Sequence, residues 1–130
     1  MNLNIQLVRQ ADFIRTTPTG ELDMNSTKEL LRTLAAAGST GDDKPMLVDI
    51  RKTSSILKKV DVFELASSLI VYGKTFRRKT AILARDDDSF DRANFFELVA
   101  KNRGYNVNAF TSFEDAIIWL ADIQNLDVEL

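Results

Sequence analysis

The sequence predicts an α/β fold: a single domain whose mixed sheet of four to five strands is flanked by helices, in the order β-β-α-β-α-β-α-β-α. Three observations carry this. Short apolar runs at 46–50 and 80–84 are each followed by a stretch with helical apolar spacing. Strands that alternate with helices build parallel sheets with right-handed crossovers. The first ten residues alternate polar and apolar side chains, as a strand with one buried face does. The chain has 130 residues, of which 45% are hydrophobic; that suffices for a core of its own. Residues 1–123 are read as the domain and 124–130 as a carboxyl-terminal tail.

The elements follow in order. Leu3, Ile5 and Leu7 mark the first strand. Phe13-Ile14-Arg15-Thr16-Thr17 reads as a second strand, antiparallel to it, and Pro18-Thr19-Gly20 should end it. Ser26 and Glu29 fit a capping box, with Leu30, Leu31, Leu34 and Ala35 inward and Gly38 as the stop. Met46-Leu47-Val48-Asp49-Ile50 is an apolar strand of the kind that is covered on both faces. Residues 51–59 read as the longest irregular connection. A helix from about Val60 should turn Val62, Leu65, Ala66, Leu69 and Ile70 inward and end at Gly73. After the strand at 80–84, a helix should begin at an Asp88 or Ser89 cap and bury Phe95, Phe96, Val99 and Ala100, with Gly104 beyond it. Residues 105–110 read as the last strand. Thr111 and Glu114 form a second capping box ahead of Ala116, Ile117, Trp119 and Leu120.

Composition narrows the chemistry. The chain has no cysteine and no histidine. The thiol nucleophile, the disulfide and the commonest general base and zinc ligand are therefore missing. With 17 bases against 19 acids the net charge is −2, which exerts no long-range pull on nucleic acid or anionic lipid. No apolar run approaches the roughly 20 residues of a membrane span. The expectation is a cytoplasmic protein with no cofactor, no metal, no nucleic-acid partner and no stable membrane insertion.

The order and spacing of Gly20-Glu21-Leu22, Met46-Leu47-Val48-Asp49-Ile50-Arg51, Thr80-Ala81-Ile82-Leu83 and Phe110-Thr111-Ser112-Phe113-Glu114-Asp115-Ala116 resemble the SpoIIAA-like group, related to STAS domains (sulfate transporter and anti-sigma-factor antagonist). The resemblance covers about residues 3–120. It implies a non-enzymatic regulatory module that binds a protein partner or a small ligand and leaves a homodimer open. In anti-sigma-factor antagonists of this group, an Asp-Ser pair at the start of the helix after the third strand is phosphorylated. Here no serine follows Asp61, Ser54 and Ser55 come too early, and Ser67 and Ser68 fall within the helix. The resemblance therefore implies the fold more firmly than the phosphoswitch. Related SpoIIAA-like domains share their overall shape with lipid-carrying Sec14-type domains, which implies as an alternative a small lipid or apolar-ligand carrier with an enclosed cavity.

The candidate ligand or partner loop is Asp49, Arg51, Thr53, Ser54, Ser55 and Lys58, with Lys52 and Lys59 beside it. Hydroxyls, bases and a helix amino terminus can hold a small anion. The plainer reading is a solvated loop tied to Asp49. Asp86, Asp87 and Asp88 could ligate Mg²⁺, but capping of the next helix explains them better. Arg77, Arg78 and Lys79 read as a solvated strand entrance, and Phe90, Phe95, Phe96, Phe110, Phe113 and Trp119 as core.

Overall fold

The computed structural model describes residues 3–9, 12–38 and 44–121. The tail expected over 124–130 lies outside the described residues, as do most of the turn at 10–12 and residues 39–43 of the loop before the third strand. The elements are β1 (Asn4–Arg9), β2 (Ile14–Leu22), α1 (Met24–Gly38), β3 (Met46–Asp49), β4 (Thr53–Ser55), α2 (Lys59–Ser67), β5 (Thr80–Leu83), α3 (Asp88–Asn102), β6 (Val107–Phe110) and α4 (Phe113–Ala121). Two 3-10 turns, Leu69–Tyr72 and Thr75–Arg77, join α2 to β5. The architecture is the expected α/β sandwich, with one more strand than the sequence suggested.

The sheet runs β1-β2-β3-β5-β6, with β1 antiparallel to β2 and the others parallel. Its order never reverses. A parallel sheet of this kind has no switch point, which is where the ligand crevice of a doubly wound fold opens. The helices α1, α2 and α3 cover one face through Leu30, Leu31, Leu34, Leu65 and Ala100, against Ile14, Met46, Val48 and Val107. Among the described residues the second face is covered by α4, whose Ala116 and Leu120 pack on Leu47, Ala81 and Leu83. The half of that face nearer β1 carries no helix among the described residues.

Several boundaries differ from the sequence reading. β2 does not end at Pro18-Thr19-Gly20 but runs through it, and it changes partner on the way. Residues 14–16 pair with β3, and Gly20, Glu21 and Leu22 pair with Thr53, Ser54 and Ser55 of β4. Pro18 falls between the two parallel ladders, where its missing N–H breaks neither. Gly20 adopts φ 128°, a backbone that other residues rarely take. The connection at 51–59 therefore contains a strand that its short polar sequence does not announce.

The helix caps also shift. Asp23 caps α1: its carboxylate accepts from the Ser26 N–H at 2.8 Å, and the Ser26 hydroxyl accepts from the Asp23 N–H at 2.9 Å. The capping box is thus Asp23–Ser26 rather than Ser26–Glu29. Asp87, not Asp88 or Ser89, caps α3 by accepting from the Ser89 N–H at 2.7 Å. Ser112, not Thr111, serves α4, accepting from the Asp115 N–H at 3.2 Å. α2 stops at Ser67, and Gly73, at φ 67°, closes the 3-10 turn after it instead.

Burial corrects three further expectations. Ile70 is 73% exposed rather than inward, because the 3-10 turn rotates it off the α2 core face. The fully buried aromatic is Phe76, at 2% exposure, which no helical period pointed to. Phe113 is partly exposed and lies under the Arg15 guanidinium, 5.4 Å from its ring centre. Of the basic triplet, Arg77 is exposed, over the Tyr105 ring, but Arg78 and Lys79 are not a solvated entrance. Arg78 donates to the carbonyls of Gly38 at 2.9 Å and Lys44 at 3.1 Å, and Lys79 donates to the Trp119 carbonyl at 2.8 Å. Cations at helix carboxyl ends satisfy orphan carbonyls and oppose the dipole, so Arg78 and Lys79 tie α1 and α4 to the start of β5.

Leu34 lies at the centre of the larger core at 2% exposure. Leu34→Ala is expected to lower the unfolding free energy by about 2–5 kcal/mol, and Ile118→Ala, on the exposed side of α4, by less than about 0.5 kcal/mol. Urea denaturation of the two variants checks this.

Candidate functional site

Asp49 ends β3 and is 3% exposed. The strand alternation turns it, with Leu47, toward the α4 side of the sheet. A carboxylate withdrawn from water needs donors, and the chain supplies four. Arg51 gives Nε to Oδ1 at 2.9 Å and Nη2 to Oδ2 at 2.8 Å, its backbone N–H reaches Oδ1 at 3.1 Å, and Arg15 of β2 gives Nη2 to Oδ2 at 3.0 Å. Burial pushes the Asp49 carboxyl upward, but the hydrogen bonds from the Arg51 side chain and amide and from Arg15 together outweigh it. The net position is below the ordinary carboxyl value of 3.8. The same bonds hold the Arg51 guanidinium more firmly protonated.

The turn after Asp49 is built from the hydroxyl run. The Thr53 hydroxyl donates to the Ile50 carbonyl at 2.7 Å, and the Ser55 hydroxyl accepts from the Leu57 N–H at 3.1 Å. Ser54 points outward from β4 and is exposed. Lys58 is exposed just ahead of α2, where its backbone N–H donates to the Asp61 carboxylate at 2.8 Å. The six candidate residues therefore divide. Asp49 and Arg51 meet, Thr53 and Ser55 spend a hydroxyl on the local backbone, and Ser54 and Lys58 face solvent.

Arg85, which follows β5, completes the arrangement. Its Nη1 donates to the carbonyls of Arg51 and Thr53, both at 2.7 Å, and its Nε donates to Asp87 at 3.0 Å. It straps the β3–β4 turn to the start of α3. Sequence reasoning missed Arg15 and Arg85. The signals were present: Arg15 interrupts an alternating strand on its outward face, and Arg85 follows directly on an apolar β-run, as Arg51 does. The three aspartates at 86–88 separate into the Asp87 cap and two exposed neighbours. Among the described residues no group of three acidic side chains is placed to hold a metal ion, and no helix is long and apolar enough to cross a membrane.

On the opposite side of the sheet, the larger core is indented by a partly open apolar cavity of about 100 Å³. Leu30, Leu34, Val62, Leu65, Ile82 and Phe96 line it. It lies between the sheet and the three covering helices.

Asp49 stabilises the fold only while it is ionised. Its folded pKa is depressed, so its contribution is complete above the unfolded value near 3.8 and is lost as pH falls through the folded value. Asp23 and Asp87 are lowered in the same direction by their capping bonds. The melting temperature of the wild-type protein is expected to fall on acidification below about pH 4. Asp49→Asn is expected to cost about 2–4 kcal/mol at pH 7 and to flatten that acid limb. Melting curves from pH 2 to 7 check both.

With this geometry in hand, comparison with known proteins bears on the fold. No family profile matches the chain, and no curated protein matches it. Solved structures do. The crystal structure of an anti-sigma factor antagonist from Mycobacterium paratuberculosis aligns with a TM-score of 0.62 at 16% identity, over 92% of this chain and 95% of that one. An uncharacterized protein of the DUF3478 family with a SpoIIAA-like fold, from Shewanella loihica, aligns with a TM-score of 0.53 at 20% identity, over 91% of this chain and 93% of that one. At such identities the likeness speaks for the backbone and not for the site: the chain has the SpoIIAA-like, STAS-type α/β fold.

Proposed function

We propose that the chain is a non-enzymatic regulatory module of the cytoplasm that binds a protein partner through the segment from β4 to the end of the 3-10 turn at Tyr72. The observation that carries this is apolar exposure concentrated in that segment. Val60 is 67% and Val71 71% exposed, and Ile56, Phe63 and Ile70 are exposed beside them. Val60 and Phe63 stand one turn apart on the outer side of α2, while Val62, Leu65 and Ala66 hold its inner side. Single exposed apolar residues are ordinary, whereas several on one segment point to an interaction surface. The structural neighbour from Mycobacterium paratuberculosis is described as an anti-sigma factor antagonist, a role exercised on another protein. A non-enzymatic reading also suits a chain without histidine or cysteine in which the one buried carboxylate of the site is committed to arginines.

The apolar cavity favours a second and narrower reading, a small apolar guest. Pockets for drug-sized ligands run to roughly 300–1,000 Å³. A cavity of about 100 Å³ is well short of that, and of what a lipid tail needs. Native mass spectrometry of the purified protein is expected to show the mass of the chain alone. A lipid-sized adduct would favour the carrier reading over the regulatory one.

Val60→Glu and Val71→Glu place a charge on the exposed segment without touching the core. Each is expected to change stability by less than about 0.5 kcal/mol. Each is also expected to abolish capture of the partner in crosslinking pull-downs from the native cell, quantified against wild type. A captured set that is unchanged in both variants would overturn the assignment.

A further inference from the structure

The half of the second sheet face nearer β1, which carries no helix among the described residues, holds an open cationic cleft. Gln6 and Val8 of β1, Arg15 and Thr17 of β2, Asp49, Arg51, Lys52 and Arg85 line it. Four of these are bases and one is an acid, in a chain whose net charge is −2. The positive excess is therefore local, and a cleft lined by one sign of charge concentrates ions of the other.

The cations are held in place before any ligand arrives. Asp49 engages one nitrogen of Arg15 and two of Arg51. A guanidinium carries five N–H donors in a rigid fork, so both arginines keep donors for the cleft. Phe113 backs Arg15 from α4. Arg85 is fixed by two carbonyls and by Asp87. Side chains that are already ordered lose less entropy on binding. Gln6 and Thr17, which face each other across the β1–β2 ladder, add neutral donors at the far wall.

The geometry points to a binding site for a phosphate monoester in this cleft, on the opposite side of the sheet from α2. A phosphate monoester carries a charge of about −1.5 to −2 at neutral pH on three terminal oxygens. It can accept forked hydrogen bonds from two guanidiniums at once while an ammonium adds charge. A carboxylate offers one charge and two oxygens, and the cleft already holds one of those in Asp49. Arg15 and Arg51 grip the phosphate from the β2 and β3 sides, and Lys52 closes from the rim. The phosphate belongs either to a small metabolite or to a phosphorylated side chain of another protein.

Calorimetric titration of the whole chain with inorganic phosphate, O-phosphoserine and a phosphoserine peptide tests this, against chloride at matched ionic strength. Saturable binding of the phosphate probes is expected. Loss of one charged donor should weaken it about tenfold or more in Arg15→Gln and in Lys52→Glu, and Val71→Glu should leave it unchanged. Lys52 is exposed, so Lys52→Glu keeps the test readable if Arg15→Gln does not fold. Equal affinity for O-phosphoserine and the peptide supports the site with a small phosphate ester as ligand. Tighter binding of the peptide supports it with a phosphorylated protein as the source. Heats no larger than those of chloride, or binding undiminished in Lys52→Glu, would overturn the proposal.

Discussion

The central strand of this sheet ends in a carboxylate that has almost no access to water, and much of the surrounding structure answers to that. Withdrawing such a group from solvent costs several kcal/mol unless donors replace the lost hydration. Arg51 replaces it from the next turn and Arg15 from the neighbouring strand. Once Arg51 folds back on Asp49, the chain must turn sharply after Ile50. The Thr53 hydroxyl closes that turn on the Ile50 carbonyl, and Arg85 clamps its outer carbonyls. The turn delivers residues 53–55 to the end of β2 as β4, and this sets where α2 begins. One ion-paired carboxylate therefore links the strand, the extra pairing and the helix whose outer side is exposed.

The distribution of helices decides what the two faces of the sheet can do. Strand order that advances in one direction keeps α1, α2 and α3 on one face, and only the last helix returns to the other. The first face is therefore covered and apolar, with its small cavity lying between sheet and helices. The second is less fully covered among the described residues, and the side chains that line its cleft are mostly polar and basic. The exposed apolar segment along α2 and the cationic cleft thus lie on opposite sides of the same sheet, and substitutions in one leave the other in place.

Much of this was legible in the sequence, and the exceptions have physical causes. The order of strands and helices followed from apolar periodicity, because β3, β5, α1 and α4 each carry an unbroken apolar signal. β4 was not legible: Thr53, Ser54 and Ser55 have no apolar alternation, and their strand exists only because Gly20 and Pro18 let β2 change partners. Caps moved by one to three residues because each helix start offers more than one Asp, Ser or Thr within a turn, and any of them can accept the bond. At the site, Asp49 and Arg51 were visible as neighbours in the chain. Arg15 and Arg85 lie more than thirty residues from the groups they hold, and no local pattern reports such a pairing. Arg78 and Lys79 read as solvated for the same reason, since their acceptors are the distant ends of α1 and α4.

The claim beneath this account is that Asp49 is an ionised, arginine-held hub. A pH titration of the Asp49 side-chain carboxyl carbon by NMR measures it directly, in the wild-type protein and in Arg51→Gln. The account predicts a midpoint below the ordinary carboxyl value of 3.8 and an upward move when the larger of the two arginine contributions is removed. A wild-type midpoint at or above the ordinary value, or one that Arg51→Gln leaves in place, would contradict it.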